Sequence, residues 1–120
     1  MTEKEFYEQI GGDYEEAKGR LMSDTLIHRF VLKFKADPNF DALRCAVAEQ
    51  RWDDAFACAH TLKGVALNLA FARLSASMIA LTDALREQNR SALTPEGIGA
   101  LFAAAEQDYA AVCAAIDALG

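Results

Sequence analysis

Apolar residues recur every three or four positions along most of this chain, and almost nowhere do they alternate. That period belongs to helices with one buried face, not to half-buried strands. Phe6 and Ile10 stand four apart on a short first helix that Gly11-Gly12 ends. Asp13 can cap a second short helix carrying Ala17 and Leu21. Ser23 or Asp24 caps a third, with Ile27, Phe30, Val31 and Phe34 expected on one face. Asp37-Pro38 pairs a good N-cap with the residue best suited to a first helical position, ahead of Phe40, Leu43 and Val47.

The central pattern is the most regular. Trp52, Ala55, Ala59, Leu62, Ala66 and Leu69 form one seam, and Phe71, Leu74, Met78, Leu81 and Leu85 form the next. A polar break from Asn89 to Leu93 precedes Thr94-Pro95, which opens a last helix carrying Ile98, Leu101, Ala105, Val112, Ile116 and Leu119. Narrow seams with short connections predict an all-α fold: an antiparallel four-helix bundle, with the short N-terminal helices as a lid. Residues 1–120 read as one domain, with no repeat, low-complexity tract or linker.

Composition adds exclusions. The chain is 52% hydrophobic, enough for a core without metals or disulfides. Its net charge of −6 argues against nucleic acid, which needs clustered positive charge. Scattered basic residues, and no stretch of apolar residues long enough to span a bilayer, point away from a membrane. Three widely spaced cysteines, Cys45, Cys58 and Cys113, read as free buried thiols in a reducing compartment. With a polar N-terminus and no apolar signal core, the expectation is a cytoplasmic protein.

The chemistry gathers at His60-Thr61-Leu62-Lys63-Gly64. At 100° per residue His60 lies about 130° from the middle of the central seam, so it should be exposed. A lone helix histidine is commonly structural or solvated. Here Lys63 follows one turn later, and Gly64 costs the helix roughly 0.5–1 kcal/mol relative to alanine. The face around them should be charged, yet Phe56, Ala57 and Leu67 make it largely apolar, which suits a docking surface. A neutral imidazole can attack a phosphoryl group, Lys63 can offset the phosphoryl charge, and Gly64 clears space for an incoming active site. Cys58 and His60 do not face one direction and form no metal pair. No Glu-x-x-His motif or glycine-rich phosphate loop is present, so a di-iron bundle or independent kinase activity is not expected. His28 reads as a surface or lid residue.

The run Ala59-His60-Thr61-Leu62-Lys63-Gly64-Val65-Ala66-Leu67-Asn68-Leu69 resembles the signature of histidine-containing phosphotransfer (HPt) domains. The Trp52-Asp53 and Arg73-Leu74 helix starts and the helix order fit as well, so the resemblance covers nearly the whole chain and suggests a free-standing HPt protein. It implies a four-helix bundle in a two-component phosphorelay. His60 would accept phosphate from a receiver-domain aspartyl phosphate and pass it to another receiver. Lys63 would assist the phosphoryl group, and Gly64 would give access. Partners would be receiver domains and a hybrid histidine kinase. The chain would be a monomeric carrier, not an enzyme, with no cofactor of its own and Mg²⁺ on the partner receiver. Ala70 departs from the pattern, since a glycine commonly ends this helix. Val65 and Leu67 are bulkier than usual, and Leu67 could narrow the choice of receiver. The competing readings are a helical adaptor that binds a receiver or kinase without taking phosphate, and a metal- or cofactor-binding bundle.

Overall fold

The structure, a computed structural model, describes residues 1–90 and 92–119. Among them are eight helical segments and no strand: α1 (Glu3–Ile10), α2 (Tyr14–Leu21), α3 (Asp24–Ala36), α4 (Asn39–Ala48), α5 (Trp52–Asn68), α6 (Ala72–Leu85), α7 (Glu87–Arg90) and α8 (Pro95–Leu119). Ser91, inside the expected polar break, lies outside the described residues. Local chemistry starts the helices where the sequence says. Thr2 and Glu5 form a capping box, and Asp13, Ser23 and Thr94 each accept a backbone N–H of the first turn. Asp37 accepts the Asn39 N–H at 2.8 Å, and α4 begins at Asn39 with Pro38 at the N-cap, one residue later than expected.

Helices α4, α5, α6 and α8 make the bundle. Helix α5 packs between α4 and α6, and α6 packs on α8. Stacked rings tie α4 to α8, with Phe40 3.9 Å from Tyr109 and 5.7 Å from Phe102. The two central seams are buried as expected, except that Trp52, at the first turn of α5, is only half-buried.

The N-terminal helices are more than a lid. Phe6 and Tyr7 are fully buried, in an aromatic cluster with Phe34 and Phe71. The Tyr7 hydroxyl donates to the Leu69 carbonyl at 2.7 Å, and the Asp13 N–H donates to the Ala70 carbonyl at 2.9 Å. Both bonds land on the turn that ends α5. In that turn Ala70 has φ +58°, the left-handed conformation that glycine usually supplies. The Phe71 N–H reaches the Ala66 carbonyl and the Ala70 N–H reaches that of Leu67. This is a complete Schellman cap built on alanine, held by contacts from α1 and the α1–α2 turn.

Two expectations need correcting. Phe30 is not core: it is 37% exposed at the edge of α3, because Ile27, Val31 and Phe34 already fill the inward face. The Lys33 ammonium lies 5.7 Å from its ring centre. Nor are the cysteines buried. Cys45 is exposed and Cys58 and Cys113 are half-buried, since each flanks a seam rather than joining it. All three are free thiols.

Candidate functional site

Helix α5 carries the candidate residues on one continuous outer face. Its alanines at 55, 59 and 66 are fully buried, which brings its backbone close to its neighbours. Rotation about that seam turns His60, Ala57, Gly64 and Leu67 to solvent, with Phe56 and Lys63 half-buried at the margins. Asp53 and Asp54 in the first turn complement the helix dipole.

The imidazole of His60 stacks on Phe56, one turn earlier, with ring centres 5.8 Å apart and planes inclined by 24°. The Arg86 guanidinium, just past α6, lies 5.5 Å from the Phe56 ring centre. Arg90 of α7 pairs with Asp53 at 2.8 Å. The α6–α7 junction therefore braces the N-terminal half of the site face. Among the described residues, neither ring nitrogen of His60 is engaged by a hydrogen bond or ion pair, and Lys63 has no carboxylate partner. Both polar groups remain available to a visitor.

Gly64 has no structural excuse. A Cβ built on it meets no atom within 4 Å. Close helix packing is therefore not its purpose, and the space above it opens to solvent. Leu67, 45% exposed, stands one turn further on. Burial pushes the Cys58 thiol above its ordinary range, so no thiolate is prepared beside the histidine. Among the described residues, no three of His, Cys, Asp and Glu are grouped as they would be around a metal ion, and no helix is long and apolar enough to cross a membrane.

Two contributors were not visible in the sequence. Arg20 of α2 donates to the carbonyls of Leu67 and Asn68 at 2.7 and 2.9 Å, at the far end of the face. Phe30, Lys33, Val65 and Asn68 line a cleft of about 200 Å³ between α3 and α5. Neither follows from helical periodicity, because each joins residues of different elements.

A family model described as Hpt domain matches residues 31–119. The chain belongs to the Hpt domain family. Histidine phosphotransfer in phosphorelays is the general work of Hpt domains, with receiver domains and histidine kinases as their class of partner. The match spans α4 to α8 and the last six residues of α3, and it leaves out α1 and α2. It is thus narrower than the near-complete resemblance expected from the sequence. No curated protein and no solved structure gives a match to this chain.

Proposed function

We propose that this Hpt chain is a phosphoryl carrier in which His60 accepts phosphate from a receiver-domain aspartyl phosphate and hands it to another receiver. In the forward step a ring nitrogen of His60 attacks phosphorus. The bond from phosphorus to the aspartyl oxygen breaks, and that aspartate leaves as a carboxylate. Lys63 offsets charge on the phosphoryl oxygens before and after transfer. Gly64 lets the receiver's active site close to bonding distance. Phe56, Ala57 and Leu67 form the docking rim. Mg²⁺ comes with the receiver, and the carrier needs no cofactor of its own. It acts as a monomer in the cytoplasm, has no turnover by itself, and sits between a hybrid histidine kinase and its receivers.

One observation carries this reading: an exposed imidazole with no hydrogen bond among the described residues, followed one turn later by a glycine whose missing side chain faces open solvent. A binding-only adaptor has no use for that combination.

The test is to incubate the protein with a phosphorylated receiver domain and Mg²⁺, beside a His60→Ala control. The expected result is label on the native chain alone, lost in acid and kept in base. Lys63→Ala should slow labelling about tenfold with the helix content unchanged. No label across several receivers that nonetheless bind the folded chain would move the reading to the adaptor.

A further inference from the structure

The edge of the site that lies beyond Gly64 is built by α2, outside the segment that matches the family. One Nη of Arg20 donates to both the Leu67 and Asn68 carbonyls, and the other donates to Glu16 at 2.8 Å, one turn back on α2. The guanidinium is therefore held from two helices. Arg20, Gly64, Leu67 and Asn68 together line a shallow cleft of about 390 Å³.

Capping α5 is a weak reason for this arrangement. The Arg20 side chain is 39% exposed, and solvent-exposed ionic contacts stabilise little. The Leu67 carbonyl is already served by the Ala70 N–H at 3.1 Å. What the arrangement does achieve is placement. A guanidinium carries five N–H groups, and three are used here. The remaining two have no acceptor among the described residues, and Arg20 lines the same cleft as Gly64. Gly64 thus borders both His60, one turn earlier on α5, and the cleft that Arg20 lines.

We propose that α2 is a working part of the docking face, and that Arg20 is a specificity-determining residue that seats the receiver domain through a carboxylate or carbonyl oxygen on the receiver's surface. The planar fork suits such acceptors, above all a carboxylate, and its pre-set position reduces the entropy lost on docking. This inference rests on the carrier reading of His60. Arg20 touches no reacting atom; it acts on encounter and orientation.

The test compares wild type, Arg20→Met and Arg20→Lys, using the receiver domain that labels wild type fastest. Phosphoramidate is the second donor: its phosphoryl group moves to the imidazole with loss of ammonia, and it is too small to need a docking face. With Arg20→Met the apparent KM for the phosphorylated receiver should rise on the order of tenfold, while the rate at saturating receiver stays within about twofold. Labelling by phosphoramidate should match wild type, and Arg20→Lys should recover part of the loss. An unchanged KM in both variants overturns the proposal. So does an equal fall with both donors alongside a lower melting temperature, which would make Arg20 a helix cap only. If wild type takes label from neither donor, the carrier reading has failed. Calorimetric titration with the receiver then decides the Arg20 question separately, and equal Kd values for wild type and Arg20→Met sink it.

Discussion

The chain's two histidines occupy similar backbone and opposite circumstances. Both lie on helices, away from the buried stripe. The Nδ1 of His28 faces a carboxylate oxygen of Glu3 at 3.4 Å, a contact that joins α3 to the start of α1. His60 touches an aromatic ring instead, and no carboxylate competes for its nitrogens among the described residues. One imidazole is spent on the fold's own contacts. The other is oriented by stacking and left chemically free. Its neighbours repeat the contrast, since the surface around His60 is apolar, small or cationic. A phosphoryl carrier needs a nucleophile that the rest of the molecule does not already occupy.

The largest effect expected from this comparison is all-or-none. His60→Ala should abolish acid-labile labelling, whereas His28→Ala should leave it within about twofold, because surface substitutions away from a site change little. Equal losses in the two variants would remove the distinction between the histidines.

A glycine pair sharpens the point further. A Cβ at Gly64 or at Gly99 of α8 meets nothing within 4 Å. Both Gly64→Gln and Gly99→Gln should therefore stabilise their helices, by about 0.5–1 kcal/mol in a denaturant titration. Only Gly64→Gln should obstruct the receiver, slowing transfer on the order of a hundredfold, as misplacement by an ångström can. If Gly99→Gln slows transfer equally, helix stiffness rather than access explains the glycine.

The smallest effect tests the support behind the site. Tyr7→Phe deletes the bond to the Leu69 carbonyl and should destabilise the fold by about 1–3 kcal/mol, with transfer nearly intact in the folded fraction. Burial pushes the Tyr7 phenol well above its ordinary range. As pH rises past about 10, the unfolded chain therefore ionises first and the native state loses stability. Tyr109, also pushed up by burial, adds to the same slope. Alkaline unfolding of Tyr7→Phe should be less steep than that of wild type. An unaltered slope would place the titration elsewhere.

Much of this was legible because α5 and α6 are long, with their apolar residues in strict register. The angular position of His60 follows from that register alone, and so does the exposure of Gly64. The short helices were harder to read. Eight residues give barely two turns, and α1 buries both Phe6 and Tyr7 against different neighbours, so a single stripe through Phe6 and Ile10 described only part of its role. Phe102 lay outside the expected stripe of α8, although it packs on Phe40. Arg20 meets its carbonyl partners across 47 and 48 positions of sequence, a distance no local pattern encodes. The sequence marks Ala70 only as an alanine where a glycine is common. Its left-handed turn depends on hydrogen bonds contributed from residues before position 14.

That last dependence separates two boundaries usually treated as one. The family's region begins at Val31, but the folding unit does not. Phe6, Tyr7, Ala17 and Ile27 are all fully buried before it starts, and the turn that ends α5 is hydrogen-bonded to residues 7 and 13. A fragment cut at the family boundary would strip Phe71 of its aromatic neighbours at 6 and 7 and leave an apolar surface that invites self-association. Grafting this module into another signalling chain therefore requires carrying the N-terminal helices along with the bundle.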